Sequence, residues 1–228
     1  MSDASSNPRP LDGRIALVTG ASRGLGAAIA RRFARAGAHL VLVARTVGGL
    51  EEVDDAVRAA GGQATLVPFD LTDFDKIDQL GAALYERFGR LDILIGNAAM
   101  LGALSPVGHI QPKTWSQVID LDLTANWRLI RAMDPLLRQA PAGRAIFVTA
   151  EQGHVPTAYW GAYAVAKAGL EMLAKTWQAE LNRTAIKVSV IDPGAMPTKL
   201  RREAFPNLVE SSLPSPDAVA ERFLELVL

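Results

Sequence analysis

Short apolar runs alternate with longer amphipathic stretches along almost the whole chain, and that alternation limits the folds open to it. The runs at residues 14–18, 40–44, 64–69, 91–96, 144–148 and 187–191 are rich in Val, Ile and Leu. Several are apolar at consecutive positions, as strands buried on both faces must be. Helical patterns fill the intervals at 24–36, 47–60, 73–88, 115–137 and 159–181, and a last one begins near Asp217. Strand–helix–strand repetition requires right-handed crossovers and a parallel sheet lying between helices. The predicted fold class is therefore α/β: a doubly wound, Rossmann-like parallel sheet in three layers, α/β/α.

Local punctuation agrees with these limits. Gly37 and the Gly61–Gly62 pair follow helices, where a left-handed residue is needed. Thr114 with Gln117 matches a capping box, and Ser215–Pro216 supplies a cap followed by proline at the first helical position. No linker divides the chain, so residues 11–228 are expected to form one domain. At 228 residues, 49% of them hydrophobic and 21% charged, the chain can build one large core.

Charge and composition narrow the function. The formal net charge is +0 with no long basic or acidic run, which argues against a nucleic-acid partner. No apolar run is long enough to span a bilayer, and residues 1–10 lack a signal-peptide core and read as a disordered tail. There is no cysteine, and His39, His109 and His154 are scattered, so no metal site is expected. A cytoplasmic enzyme or binding protein fits these limits.

The turn after the first strand is Thr19-Gly20-Ala21-Ser22-Arg23-Gly24-Leu25-Gly26. Gly20 lets the chain leave the strand sharply, Gly24 lets backbone approach a pyrophosphate, and Gly26 lets the helix pack close to the sheet. Amides at the start of that helix would face the phosphates. The plainer alternative is a glycine turn that only closes a strand–helix unit. Where an NAD site would carry an acid after the second strand, Arg45 stands instead, and Arg23 lies in the glycine turn. Two guanidiniums suit a 2′-phosphate, which favours NADP over NAD; the alternative is a pair of exposed loop arginines. Asp70 and Asn97 follow the third and fourth strands, where ligands bind in such sheets, or where a residue caps a turn.

Downstream, Tyr163 and Lys167 are one helical turn apart on one face. A phenol serves as an acid–base group near neutral pH only when a nearby cation favours its phenolate. Alone, such a pair is more often a solvated lysine beside a half-buried tyrosine.

Together these residues resemble the short-chain dehydrogenase/reductase family over most of the chain. Thr19-Gly20-x-x-x-Gly24-x-Gly26 is similar to its coenzyme motif, and Asp70-Leu71-Thr72 to its adenine-side motif. Asn97-Ala98-Ala99 resembles its Asn-Ala-Gly turn, and Tyr163-x-x-x-Lys167 its active-site pair. Pro193-Gly194 with Thr198 resembles the segment beside the nicotinamide. The resemblance implies that Tyr163 exchanges a proton with the substrate oxygen while hydride moves to or from the nicotinamide. It implies that Lys167 holds the nicotinamide ribose and lowers the phenol's pKa, and that Ser22, Leu25 and Thr198 contact the cofactor.

Two positions depart from the pattern. Ala150 stands where the family usually has a serine that hydrogen-bonds the reacting oxygen. Thr149 is adjacent, but consecutive strand residues point to opposite faces. Glu151 and His154 flank the expected cleft mouth. Asp122 stands where the family usually has an asparagine that acts through its backbone carbonyl, and its charge would keep Lys167 protonated. Two functions follow: an NADP-dependent oxidoreductase acting on a small carbonyl or alcohol, or an impaired NADP-binding sensor or partner-binding protein. Stretches 101–111 and 195–214 should flank the cleft, the second as a partly apolar lid with Met196, Leu200, Phe205 and Leu208. The resemblance also implies a homodimer or homotetramer formed through helices 115–137 and 159–181.

Overall fold

The apolar runs pair side by side as six parallel strands in the computed structural model, which describes residues 9–208 and 212–228. The strands are β1 (Ile15–Thr19), β2 (His39–Ala44), β3 (Gln63–Pro68), β4 (Ile93–Gly96), β5 (Arg144–Val148) and β6 (Lys187–Ile191). Their order is β3-β2-β1-β4-β5-β6, with every neighbouring pair parallel. Winding reverses between β1 and β4, and there the carboxyl ends of the strands open a crevice.

Strands apolar on both faces need a helical layer on each. Helices α1 (Gly24–Arg35), α2 (Val47–Ala59) and α8 (Pro216–Val227) cover one side, packing Phe33, Leu50 and Phe223 into one core. On the other side, α3 (Phe74–Phe88), α5 (Ala125–Leu137) and α6 (Gly161–Glu180) bury Ile77, Met133, Leu170 and Trp177. Ser215 caps α8 by accepting from the Ala218 amide, with Pro216 at the first helical position, as predicted. Among the described residues no helix is long and apolar enough to cross a membrane, and no cluster of His, Asp or Glu could hold a metal.

Three expectations need correction. The helix predicted at 115–137 starts earlier, as α4 (Pro112–Ile119), with Pro112 in the first turn and Gln111 preceding it. Thr114 therefore lies inside the helix, and the capping box with Gln117 does not form. A π-helical turn over Asp120–Thr124 then joins α4 to α5. Its extra residue per turn rotates Asp122 fully into the interior, a placement a uniform 3.6-residue period does not anticipate.

The helix predicted from Tyr159 begins at Gly161. Tyr159 takes φ 74°, the only positive value at a described non-glycine residue, so it cannot belong to a right-handed helix. The predicted tail over residues 1–10 lies mostly outside the described residues. Its last part does not behave as a tail: the Arg9 guanidinium donates to the Gly61 carbonyl oxygen (3.3 Å).

Candidate active site

Gly20 ends β1 at φ 65°, and Gly24 opens α1 at φ 55°, conformations that L side chains rarely adopt. At Gly26 the constraint is space. A Cβ there would overlap the Gly20 carbonyl oxygen and stand 2.7 Å from the Asn97 side-chain nitrogen. Asn97 fastens the strand ends: its Nδ2 donates to the Thr19 carbonyl (2.8 Å). The Asn97 and Ala98 amides donate to Thr19 Oγ1 (2.9 and 3.1 Å). Helix α1 begins with no side-chain cap and no acid in its first turn. Its first amides thus lack a side-chain acceptor, and the positive end of the helix dipole is uncompensated. Such a terminus is an anion site, and the dinucleotide phosphates fit it.

A cleft of about 450 Å³ lies over the carboxyl ends of the strands. From the glycine turn, Gly20, Arg23, Gly24 and Leu25 line it, joined by Arg45 after β2 and Asn97 after β4. Ala150, Tyr163 and Lys167 line its other part, with Pro193, Gly194 and Thr198 from the segment after β6. The structure thus brings together most of the predicted residues. Five others lie off the cleft wall, among them Asp122, fully buried beside Lys167. Ser22 lines an adjoining cavity toward α2, and Gly26 lies beneath the turn. Leu71 is buried in the α3-side core. Asp70 lies beside Arg45, with its Oδ2 3.6 Å from the Arg45 Nη1. Burial raises the Asp70 carboxyl, but hydrogen bonds from the Thr72 amide and hydroxyl, with Arg45 nearby, lower it overall.

Tyr163 and Lys167 are almost wholly buried on α6. The Lys167 Nζ donates to the Val148 carbonyl (3.0 Å) and stands 3.7 Å from Asp122 Oδ2. Burial lowers the Lys167 pKa and the Asp122 charge counters it; burial pushes Asp122 up to about 6, countered by Lys167. The resemblance implies a lowered Tyr163 phenol, and the protein alone shows the reverse. Burial raises it first, and the charges of Asp122 and Asp192 raise it further.

The Asp122 backbone carbonyl accepts from Asn126 Nδ2 (2.9 Å). It is the Asp122 side chain that faces Lys167. Thr149 supplies no substitute for a serine, because its hydroxyl donates to Glu171 Oε1 (2.8 Å). His154 also turns to that oxygen (3.3 Å), while Glu151 lines the cleft.

Several site residues went unread in the sequence. Trp160 packs on the Tyr163 ring with centroids 5.7 Å apart and lines the cleft. Asp192 lines it too, and its Oδ1 accepts from the Gly194 amide (2.8 Å). The Arg222 guanidinium of α8 donates to the Asp192 and Pro193 carbonyls (3.1 and 3.2 Å), holding this segment. Asp192 immediately precedes the Pro193–Gly194 pair, a signal that was available. Leu200 and Phe205 pack toward Trp160, and Met196 lines the cleft while also packing into the α1-side core.

A family model described as short chain dehydrogenase matches residues 14–208. The chain is 35% identical over 218 residues to 3beta-hydroxysteroid dehydrogenase 1 of Eggerthella lenta, covering 95% of this chain and 81% of that protein. A short chain dehydrogenase structure from Pseudomonas syringae superposes with a TM-score of 0.93 at 36% identity, over 100% of this chain and 94% of that one. Another, from Escherichia coli CFT073 and complexed with NADPH, has a TM-score of 0.92 at 31% identity, covering 96% and 92%. This chain belongs to the short-chain dehydrogenase family. It is an oxidoreductase of the class that acts on CH–OH or C=O groups.

Proposed function

We propose that the protein is an NADP-dependent oxidoreductase that interconverts a small carbonyl compound and its secondary alcohol. The carrying observation is the buried Tyr163–Lys167 pair on one wall of a cleft that also contains the uncapped glycine turn. Arg23 and Arg45 beside that turn support the 2′-phosphate form of the dinucleotide, as does the NADPH complex of the E. coli relative.

When bound, the nicotinamide supplies or accepts the hydride. In reduction, Tyr163 gives its phenolic proton to the carbonyl oxygen as the carbonyl carbon gains hydride. The carbonyl π pair becomes the new O–H bond, and the phenolate then takes back a proton. Lys167 binds the nicotinamide ribose, and Thr198 and the Pro193–Gly194 segment hold that half of the dinucleotide. Gly20, Gly24 and Leu25, backed by Ser22 and Gly26, carry the phosphates, Asn97 fastens the β4 end to the β1 end at the glycine turn, and Asp70 and Leu71 shape the adenine side. Residues 11–228 act as one dinucleotide-binding and catalytic unit. Ala150 gives the reacting oxygen no hydroxyl, so turnover is attenuated relative to a serine-bearing site. Trp160, Ala150 and Leu200 make the neighbouring wall apolar, which suits an apolar or aromatic carbonyl.

The test is NADPH oxidation, followed by absorbance, against a panel of aldehydes, ketones and quinones. Native protein should turn over at least one of them. Tyr163→Phe should lose about a hundredfold or more in kcat while binding NADPH nearly as tightly. Tight NADPH binding with no turnover across the panel would shift the reading to an impaired sensor.

A further inference from the structure

Asp122 is the most deeply buried acid among the described residues. Its side chain is fully buried behind the cleft-lining Lys167, in the π-helical turn between α4 and α5. Oδ1 accepts from the Met100 amide (2.9 Å). Oδ2 is buried with no hydrogen-bond partner and faces the Lys167 ammonium at 3.7 Å. A carboxylate oxygen left this way is costly unless a cation compensates it, and Lys167 is the cation in reach. The ammonium is held from two sides, by Val148 O and by Asp122, with its Nζ 5.4 Å from the Tyr163 ring centroid.

The pair is neutral overall, so the phenol next to it receives little net positive field. Charged groups around Tyr163 are Lys167 on its own helix, Asp122 on the π turn and Asp192 after β6. Glu151, after β5, and Lys199, Arg201 and Glu203, on the short helix α7 (Lys199–Ala204), line the same cleft, as do Arg23 and Arg45 at the glycine turn. Burial and the two aspartates raise the phenol's pKa.

We propose that Asp122 is a positioning residue whose carboxylate holds the Lys167 ammonium and offsets its charge at the phenol, keeping Tyr163 in the proton-donating form used for carbonyl reduction. A neutral asparagine side chain at this position would leave only Asp192 to oppose the lysine cation at the phenol. The inference rests on the assignment of Tyr163 as proton donor.

The experiment is an ultraviolet phenolate titration of native protein and Asp122→Asn, with Tyr163→Phe identifying the contribution of Tyr163. Asp122→Asn should lower the Tyr163 midpoint by about one pH unit or more, because a nearby like charge disappears. The alkaline limb of the reductive kcat/KM profile should move down with it. An unmoved midpoint overturns the proposal. The native protein gives a check that needs no variant: its infrared spectrum at pH 8 should contain no protonated-carboxyl stretch. Such a stretch would show Asp122 uncharged and also overturn the proposal. Equal turnover of native and Tyr163→Phe protein would overturn the proton-donor assignment. A static midpoint with normal, Tyr163-dependent turnover would overturn the Asp122 role alone.

Discussion

The Arg45 guanidinium and the Asp70 carboxylate meet at 3.6 Å, both partly exposed to solvent. A pair so exposed contributes little to stability, which leaves the arginine available to a phosphate. Arg45→Asp should therefore weaken NADPH binding about tenfold to a hundredfold, the range of a lost charge-assisted contact, with NADH affected less. Titrating both cofactors against both proteins measures this; equal native affinities for NADH and NADPH would sink the 2′-phosphate assignment. Ala150 is the other position where one side chain decides the outcome. It is extended, half-buried and in contact with the apolar wall beside Tyr163. Ala150→Ser adds one oxygen there and should raise kcat/KM for a carbonyl substrate by about tenfold to a thousandfold. If serine adds nothing to an already ordinary rate, another group makes that contact.

Among the elements, α1 has the narrowest tolerance. Its approach to the β1 and β4 ends leaves no room for a methyl group at Gly26. Gly26→Ala should cost about 1–3 kcal/mol of stability through overpacking and should also weaken cofactor binding, since the same turn presents the phosphate-facing amides. Thermal unfolding with and without NADPH tests both; an unchanged midpoint would show that the turn can yield. The glycine spacing made this element legible, because close approach needs a missing Cβ and leaves a mark in sequence. The π turn left no such mark. Residues 115–137 carry a helical apolar pattern on both sides of it, so one continuous helix was the natural reading. The inserted turn is decided by what surrounds Asp122, namely the Met100 amide, Lys167 and Asn126, which come from distant or unmarked positions.

For the whole molecule, Trp115, Trp127, Val165 and Met172 remain exposed on α4, α5 and α6. We propose that these faces pair in a homodimer or homotetramer. Light scattering should give about two or four times the 24.4 kDa chain mass, and Met172→Lys should lower the assembly state without unfolding the protein. A native monomer at working concentration would refute it. The sequence by itself determined the layer architecture, because strands buried on both faces can be satisfied only by helices above and below. It also determined the glycine turn and the Tyr163–Lys167 pair, whose chemistry depends on local spacing along one element. Tertiary structure alone decided the electrostatics of the site. The charge felt by Tyr163 comes from Asp122 on the π turn and Asp192 after β6. Coulomb interactions act through space, in a buried setting that only the folded chain creates, and sequence separation carries no record of those distances.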